Sequence, residues 1–416
     1  MSESCNPTEI SFDNTAYAFA YKNDAELKKA RFLFSSMGKP WLLKLGLKLM
    51  PWAVKYHIPF TKTIIRKTIF SQFVGGETLE ETARLAALLG QYHVDVILDY
   101  GVEGGEGELN FDEATAAFIR VVEYAASQPN IPFMSIKVTG IARFSLLEKL
   151  DGMMSKGGEG TLMKRYTTAV AALPSEEQAE WQKAVMRLQR ITEVASRTHV
   201  GVLVDAEESW IQDPVDALTM LMMDNFNKER AVIYNTIQCY RHDRLAFLQQ
   251  SHRAAADRNF ILGVKIVRGA YMEKERQRAE TMAYPSPIQP NKEASDHDFN
   301  LALRYCLENI RQVSLIVASH NEYSNIQATN IMIEKNIPSG HPHVHFSQLY
   351  GMSDNITFNL AHHGYGVSKY LPFGPINDVV PYLLRRAQEN SSVSGQTGRE
   401  LGLINRELKR RKESEN

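Results

Sequence analysis

A chain of 416 residues with 44% hydrophobic content can bury a sizeable core, which excludes general disorder and allows one large domain or two medium ones. Lysine and arginine number 47 against 48 aspartates and glutamates, a net charge of -1. That balance offers no global field for nucleic acid or acidic membranes, so a small-molecule partner is expected.

The start, MSESCNPTEISFDN, is polar and acidic, unlike a signal peptide, and no apolar run reaches the roughly 18 residues needed to span a bilayer. Cys5, Cys239 and Cys306 form neither an even disulfide framework nor a CxxC pair. This suits a reducing compartment, and the cytoplasm is the expected location. Residues 39–67, KPWLLKLGLKLMPWAVKYHIPFTKTIIRK, interleave Trp, Leu, Ile and Phe with lysines and an arginine. Two readings stay open: a basic amphipathic stretch lying in a membrane interface, or an N-terminal helical layer packed on the main domain through Trp41, Trp52 and Phe60. Residues 1–75 are accordingly expected to form an N-terminal helical segment.

From residue 94 a rhythm sets in, short β-branched runs each followed by a longer helical pattern. The strand candidates are 94–100, 132–138, 200–206, 231–238, 260–267, 313–319, 343–349 and 364–371. They are almost continuously apolar and end in polar or glycine residues, as buried parallel strands do. Eight such units predict an α/β fold, an eight-stranded TIM-like β/α barrel, with chemistry at the carboxyl ends of the strands. A doubly wound sheet would need a Gly-rich turn after its first strand. The glycines of YGVEGGEGELN instead lead into an acidic stretch, and SKGGEGT (155–161) follows no strand. The gap at 143–198 reads as an insertion with helical patterns at 163–173 and 175–197. Residues 396–416 read as a charged C-terminal tail, and its final segment ELKRRKESEN as solvated.

The polar residues at the predicted strand ends are Asp99 with Glu103, Lys137, Asp205 with Glu207, Gln238, Lys265 with Arg268, His320 with Asn321, Gln348 and Tyr370. Three runs, SIKVTG, VDAEES and VKIVRGAY, are too polar for packing alone. In the last helical pattern Val379, Val380, Leu383, Leu384 and Ala387 form an apolar stripe. Arg385 and Arg386 then either lie on the wet face or offer forked hydrogen bonds to a carboxylate or phosphate. With Lys137 they would make three cations for one anion, balanced by Asp205 or Glu103. His341, His343 and His345 alternate, but Pro342 interrupts them and no cysteine or carboxylate completes a metal set. His362 and His363 point different ways. There is no GxSxG elbow, and Cys239 reads as a small buried thiol.

SIKVTGIARF, VDAEES, TIQCYRHD, GVKIVRGAYM, ASHN, QLYGM and YLPFGP followed by PYLLRRAQENSS occur in this order. This series, from Phe73 to Leu408, resembles proline dehydrogenase, a flavoenzyme built on a β/α barrel. The tail ENSSVSGQTGRELGLINRELKRR is similar to eukaryotic-type, single-function enzymes rather than bacterial fusions with a second dehydrogenase.

The resemblance implies that residues 76–395 form the FAD- and proline-binding catalytic barrel. Lys137, Tyr370, Arg385 and Arg386 would face the substrate, Tyr271 and Leu349 would border the proline ring, and Tyr382 and Asp205 would support them. Glu103 would pair with Arg385 as a gate. Lys265 would stand near the flavin N5, where many bacterial members carry arginine. Gln238, Arg268, Gly269, Ala270, Ser319, His320 and Asn321 match further FAD contacts, with Lys292 and Glu389 assigned more weakly. Met272 stands where some members have tryptophan.

The implied reaction is oxidation of L-proline to Δ1-pyrroline-5-carboxylate. A cationic clamp on the carboxylate aims the ring carbon C5 at the flavin for hydride transfer. The amine must be neutral, so the rate should rise with pH. Electrons would pass to a membrane quinone, which gives the stretch at 39–67 a purpose at the inner membrane. The alternatives are a hydroxyproline dehydrogenase, whose family members tend to lack the tyrosine at Tyr370, and a non-catalytic barrel that binds an anionic metabolite.

Overall fold

The computed structural model describes residues 10–39, 41, 46, 48–50, 53, 56, 58–101, 106–157, 160–392 and 396–414, without the side chains of 388–392 and 396–397. Eight parallel strands, β1 (Asp95–Tyr100), β2 (Phe133–Ile136), β3 (Gly201–Val204), β4 (Ile233–Gln238), β5 (Leu262–Val267), β6 (Val313–Ala318), β7 (Val344–Leu349) and β8 (Val367–Phe373), close into a barrel in sequence order. Each lies within a few residues of its expected position. The β-branched cores of these strands explain the fit: Val96, Ile97, Val202, Val204, Val264, Ile266, Ile316 and Val317 are all buried, and such side chains pack well on a pleated surface covered on both faces.

The longer helices are α1 (Asp24–Met37), α2 (Leu79–Gly90), α3 (Glu108–Ala126), α4 (Phe144–Lys156), α5 (Leu162–Ala171), α6 (Ser175–Thr198), α7 (Gln212–Phe226), α8 (Arg244–Asp257), α9 (Met272–Met282), α10 (Lys292–Glu308), α11 (Glu322–Glu334), α12 (Asp354–His362), α13 (Ile376–Ser392) and α14 (Gln396–Ser414). Local signals set several ends. Asn23 and Glu26 form a capping box at the start of α1, and Thr78 and Asn291 cap α2 and α10. The segment 143–198 holds three helices, not the two expected. The additional one, α4, buries Leu146, Leu147, Leu150 and Met154, and its pattern is obscured in sequence because Asp151, Gly152 and the following glycines interrupt it. Arg187 of α6 ties this segment to α3 by donating to Asp112 at 2.7 Å and Glu108 at 2.9 Å.

The chain divides into two compact units, one of Met1–Val102, His320–Glu322 and Phe346–Asn416, the other of Glu103–Ser319 and Tyr323–His345. The first has its own core, in which Phe34 and Phe73 meet edge-on and Val379, Leu383, Leu403 and Ile404 complete the packing. The final segment is mostly exposed, as a solvated tail would be, but Glu407 within it is buried. Residues 396–414 form α14, which buries Glu400, Leu403, Ile404 and Glu407. A three-to-four residue period puts those side chains inward and the remaining charges outward. Arg411 adds hydrogen bonds to the carbonyls of Phe19 and Lys22 and to Asp24, each at 2.9 Å.

Within 39–67 the rings that a packed layer would bury are open: Trp41 is 66% and Phe60 79% exposed. Within this region Ile65 is buried in the core of the first unit and half-buried Met50 packs against it. Trp52 lies outside the described residues.

Candidate active site

The second unit supplies most of the residues expected to meet a flavin. Lys265 is buried within β5 and ion-pairs with Asp205, which directly follows β3. A buried ammonium needs such a partner, because neither charge alone offsets its lost hydration. The Asp205 N–H donates to the Ile136 carbonyl at 2.8 Å, which sets it beside the end of β2, where half-buried Lys137 stands. Glu207 is also buried, and Thr139 donates to its carboxylate at 2.9 Å. Burial pushes this carboxyl up to about 7, against the pull of the Lys137 ammonium and the Thr139 hydroxyl.

Gln238 closes β4 with its carboxamide held on both sides. Its Nε2 donates to the Glu207 carbonyl at 2.6 Å and to Tyr240 at 2.7 Å. Its Oε1 accepts from Arg241 at 3.3 Å. Arg268, just past β5, donates to Asp296, to Ser319 at 2.8 Å and to Ser324 at 2.9 Å, with its guanidinium 3.9 Å from the Phe299 ring centroid. Asp296 also pairs with Lys292, whose own side chain is mostly exposed. Gly269 has φ +84 and Tyr271 φ +53, so the chain turns sharply into α9. A Cβ built at Gly269 meets nothing within 4 Å, which leaves that backbone facing open space beside half-buried Ala270 and Met272.

The first unit supplies the other set. Leu349 ends β7 and Tyr370 lies within β8; both are half-buried. His320 Nδ1 lies 2.9 Å from Ser353 Oγ, with Asn321 next to it, also half-buried. On α13 the stripe Val379, Val380, Leu383 and Ala387 is buried as expected. Arg386 does not lie on a wet face: it is 8% exposed, with its guanidinium 5.1 Å from the Tyr382 ring centroid. Arg385 and Tyr382 are half-buried. Glu103 and the side chain of Glu389 lie outside the described residues, so the gate pairing has no geometry.

The remaining histidine and cysteine candidates make local contacts. His341 and His343 meet edge-on at 5.5 Å, while His345 packs on Phe133 at 5.0 Å, where burial lowers its pKa to about 4. Burial raises the Cys239 thiol to about 12. Sequence reasoning missed one group altogether. Lys369, 0% exposed within β8, donates to the Met352 carbonyl at 2.6 Å and lies 2.8 Å from Asp354. Asp354 also accepts from Tyr21 and Lys22, each at 2.9 Å. Burial works to raise its carboxyl, but the ammoniums of Lys22 and Lys369 hold it at about 2. The one visible signal was a lysine inside the apolar run GYGVSKYL.

A closed parallel β/α barrel with cations, carboxylates and tyrosines at its strand ends defines a β/α-barrel enzyme. The model of the proline dehydrogenase family matches residues 82–399, and the chain belongs to that family of oxidoreductases. It is 33% identical to hydroxyproline dehydrogenase of Xenopus laevis, over 94% of this chain and 88% of that one. It is 32% identical to mitochondrial proline dehydrogenase 1 of Dictyostelium discoideum, over 83% of this chain and 65% of that one. Among solved structures, proline utilization A from Bdellovibrio bacteriovorus, inactivated by N-propargylglycine, superposes with a TM-score of 0.67 at 19% identity. The match covers 94% of this chain and 40% of that much longer one, and supports the barrel fold. Among the described residues no helix is long and apolar enough to cross a membrane.

Proposed function

We propose that the enzyme oxidises L-proline to Δ1-pyrroline-5-carboxylate, with FAD as its cofactor and a membrane quinone as the onward acceptor. The observation that carries this reading is the burial of Arg386 on a helix whose apolar stripe is otherwise continuous. A guanidinium is kept out of water where it has an anion to bind, and its forked donors match a carboxylate. Arg385, Arg386 and Lys137 hold the proline carboxylate. Tyr370, Leu349 and Tyr271 border the ring, Tyr382 backs Arg386, and Asp205 fixes Lys265. Glu103 pairs with Arg385 as the gate.

The residues present suit FAD. Lys265 and Arg268 are fixed cations, the Gly269 backbone faces open space, and Ser319, His320 and Asn321 add donors. Gln238, Ala270, Lys292 and Glu389 complete the set. FAD, when bound, supplies the hydride acceptor. The protein orients the substrate, and the amine reaches its reactive neutral form by losing its proton to water. The exposed rings and cations of 39–67 rest on the inner membrane from its cytoplasmic side, near the quinone.

Purified protein supplied with FAD should be yellow and should reduce an artificial dye when given proline; a colourless, inactive protein would favour an anion-binding barrel. Arg385→Ala and Arg386→Ala should each raise KM for proline about tenfold to a hundredfold while keeping the flavin, since a charge-assisted hydrogen bond is worth roughly 1.5–3 kcal/mol. Unchanged kinetics in both would remove the clamp. A second reading has support from the hydroxyproline dehydrogenases of Xenopus laevis and Bos taurus, 33% and 31% identical. Tyr370 favours proline, because its ring takes the space of a 4-hydroxyl. The same assay with 4-hydroxyproline should show a proline preference that Tyr370→Ser narrows or reverses.

A further inference from the structure

The helix α14 reaches the loops after β6 and β7 through one carboxylate. Glu400, 5% exposed, accepts the backbone N–H of Ser353, and the Ser353 hydroxyl in turn lies 2.9 Å from His320 Nδ1. Ser353 has φ +51 and ψ 43, a left-handed conformation that a residue with a side chain keeps only where its surroundings hold it. Three separate elements do so. Glu400 takes the Ser353 N–H, Lys369 of β8 takes the preceding carbonyl of Met352, and Tyr21 and Lys22 take the following carboxylate of Asp354. Nearby, Gly351 has φ +81, and a Cβ there would lie 2.0 Å from the Gln72 carbonyl oxygen, so the turn has little room to shift. On the other side, Arg399 of α14 donates to Glu322 at 2.9 Å, two residues beyond His320.

We propose that Glu400 is a positioning residue for the cofactor: by fixing the Ser353 backbone it aims the Ser353 hydroxyl at His320 and sets the ring's orientation and tautomer. This rests on the assignment of His320 to FAD made above. Glu400 lies in the tail that resembles the eukaryotic-type members, but the resemblance assigns it no role, and it stands 80 residues from His320 in sequence. The groups facing its carboxyl are the Ser353 N–H, Asp354, Lys369 and Lys22. Burial and the Asp354 charge push it up to about 7, against the other three. The ionised form is the stronger acceptor, so the hold on His320 tightens as pH rises through neutrality.

The test uses full-length Glu400→Ala, Glu400→Gln, Ser353→Ala, the double variant Ser353→Ala/Glu400→Ala, and His320→Ala. FAD is titrated into the flavin-free protein to give Kd, and the His320 ring nitrogens are followed by 15N NMR. Glu400→Ala and Ser353→Ala should each weaken FAD binding about tenfold and shift the His320 nitrogen signals. The double variant should be no worse than either single one, because both break the same chain of contacts. Glu400→Gln keeps an acceptor oxygen for the Ser353 N–H, so it should stay within about twofold of the parent at neutral pH and lose the dependence of Kd on pH between about 6 and 8.

Parent-like Kd and unshifted His320 signals in Ser353→Ala and Glu400→Ala would overturn the positioning role. If His320→Ala itself binds FAD like the parent, the flavin assignment falls, and the proposal with it. Weakened binding in His320→Ala beside parent-like Ser353→Ala and Glu400→Ala discards the positioning chain alone. Should Glu400→Ala fail to fold, Ser353→Ala and Glu400→Gln carry the decision.

Discussion

Glu207 is buried just past β3, and burial raises its carboxyl from 4.5 to about 7. The folded chain therefore holds this proton more tightly than the unfolded chain does. Stability that is fully present below the unfolded value is lost as pH climbs through about 7, by roughly 3 kcal/mol if the whole shift is realised. Glu207→Gln keeps an acceptor for Thr139 and removes the titration. Urea unfolding at pH 5 and pH 8 should show the variant gaining about 1–3 kcal/mol on the parent at the higher pH; equal slopes would place the pH dependence elsewhere. Glu207, Lys137, Asp205, Lys265 and Arg268 were legible because each interrupts or ends an apolar run. Arg386 was only half legible, since a helical period gives the side of a helix but not what covers it. Lys369, Asp354 and Glu400 were not, because their partners are remote: Tyr21 and Asp354 are 333 residues apart.

The strands were the most legible elements, since burial on both faces writes an apolar run directly into the sequence. Helix α4 was lost where Gly152 and the glycines after Lys156 break its pattern. The stretch around 39–67 is harder still, because one composition serves lipid and protein equally. Between Glu26 and Glu77 the sequence contains no acidic residue, and Phe32, Trp41, Phe60 and Ile64 are each more than half exposed. Apolar area and attraction to anionic lipid act together on such a surface, and the second is screened over about 8 to 10 Å at ordinary ionic strength. The protein should therefore cosediment with anionic vesicles at low salt and be released in part as salt rises. Trp41→Ala/Phe60→Ala should lower the salt-resistant fraction. Failure to bind at low salt would leave this stretch a packing role only.

At the scale of the whole molecule, the two ends of the described chain belong to one unit. Arg411 of α14, itself held by Glu407, fastens residues 19–24, and Arg399 and Arg406 pair with Asp13. Ending the chain at residue 395 would uncover Leu27, Phe34 and Leu383 in the core that Leu403 and Ile404 close. Several large side chains left open cost several kcal/mol together. The truncated protein should melt about 5 °C lower, the shift that a loss of several kcal/mol gives a chain of this length, or come out insoluble. A melting temperature within about 2 °C of the parent would show that α14 adds little to the core.

The clasp between the two ends also orders events during synthesis. Residues 13–24 leave the ribosome before the arginines that fasten them, which follow some 385 residues later, with β8 and α13 also made in between. At roughly 5–20 residues per second the wait is about 20–80 s. Throughout it, the acid-free stretch beyond Glu26 is on offer to a chaperone or a lipid surface before the barrel that it serves exists.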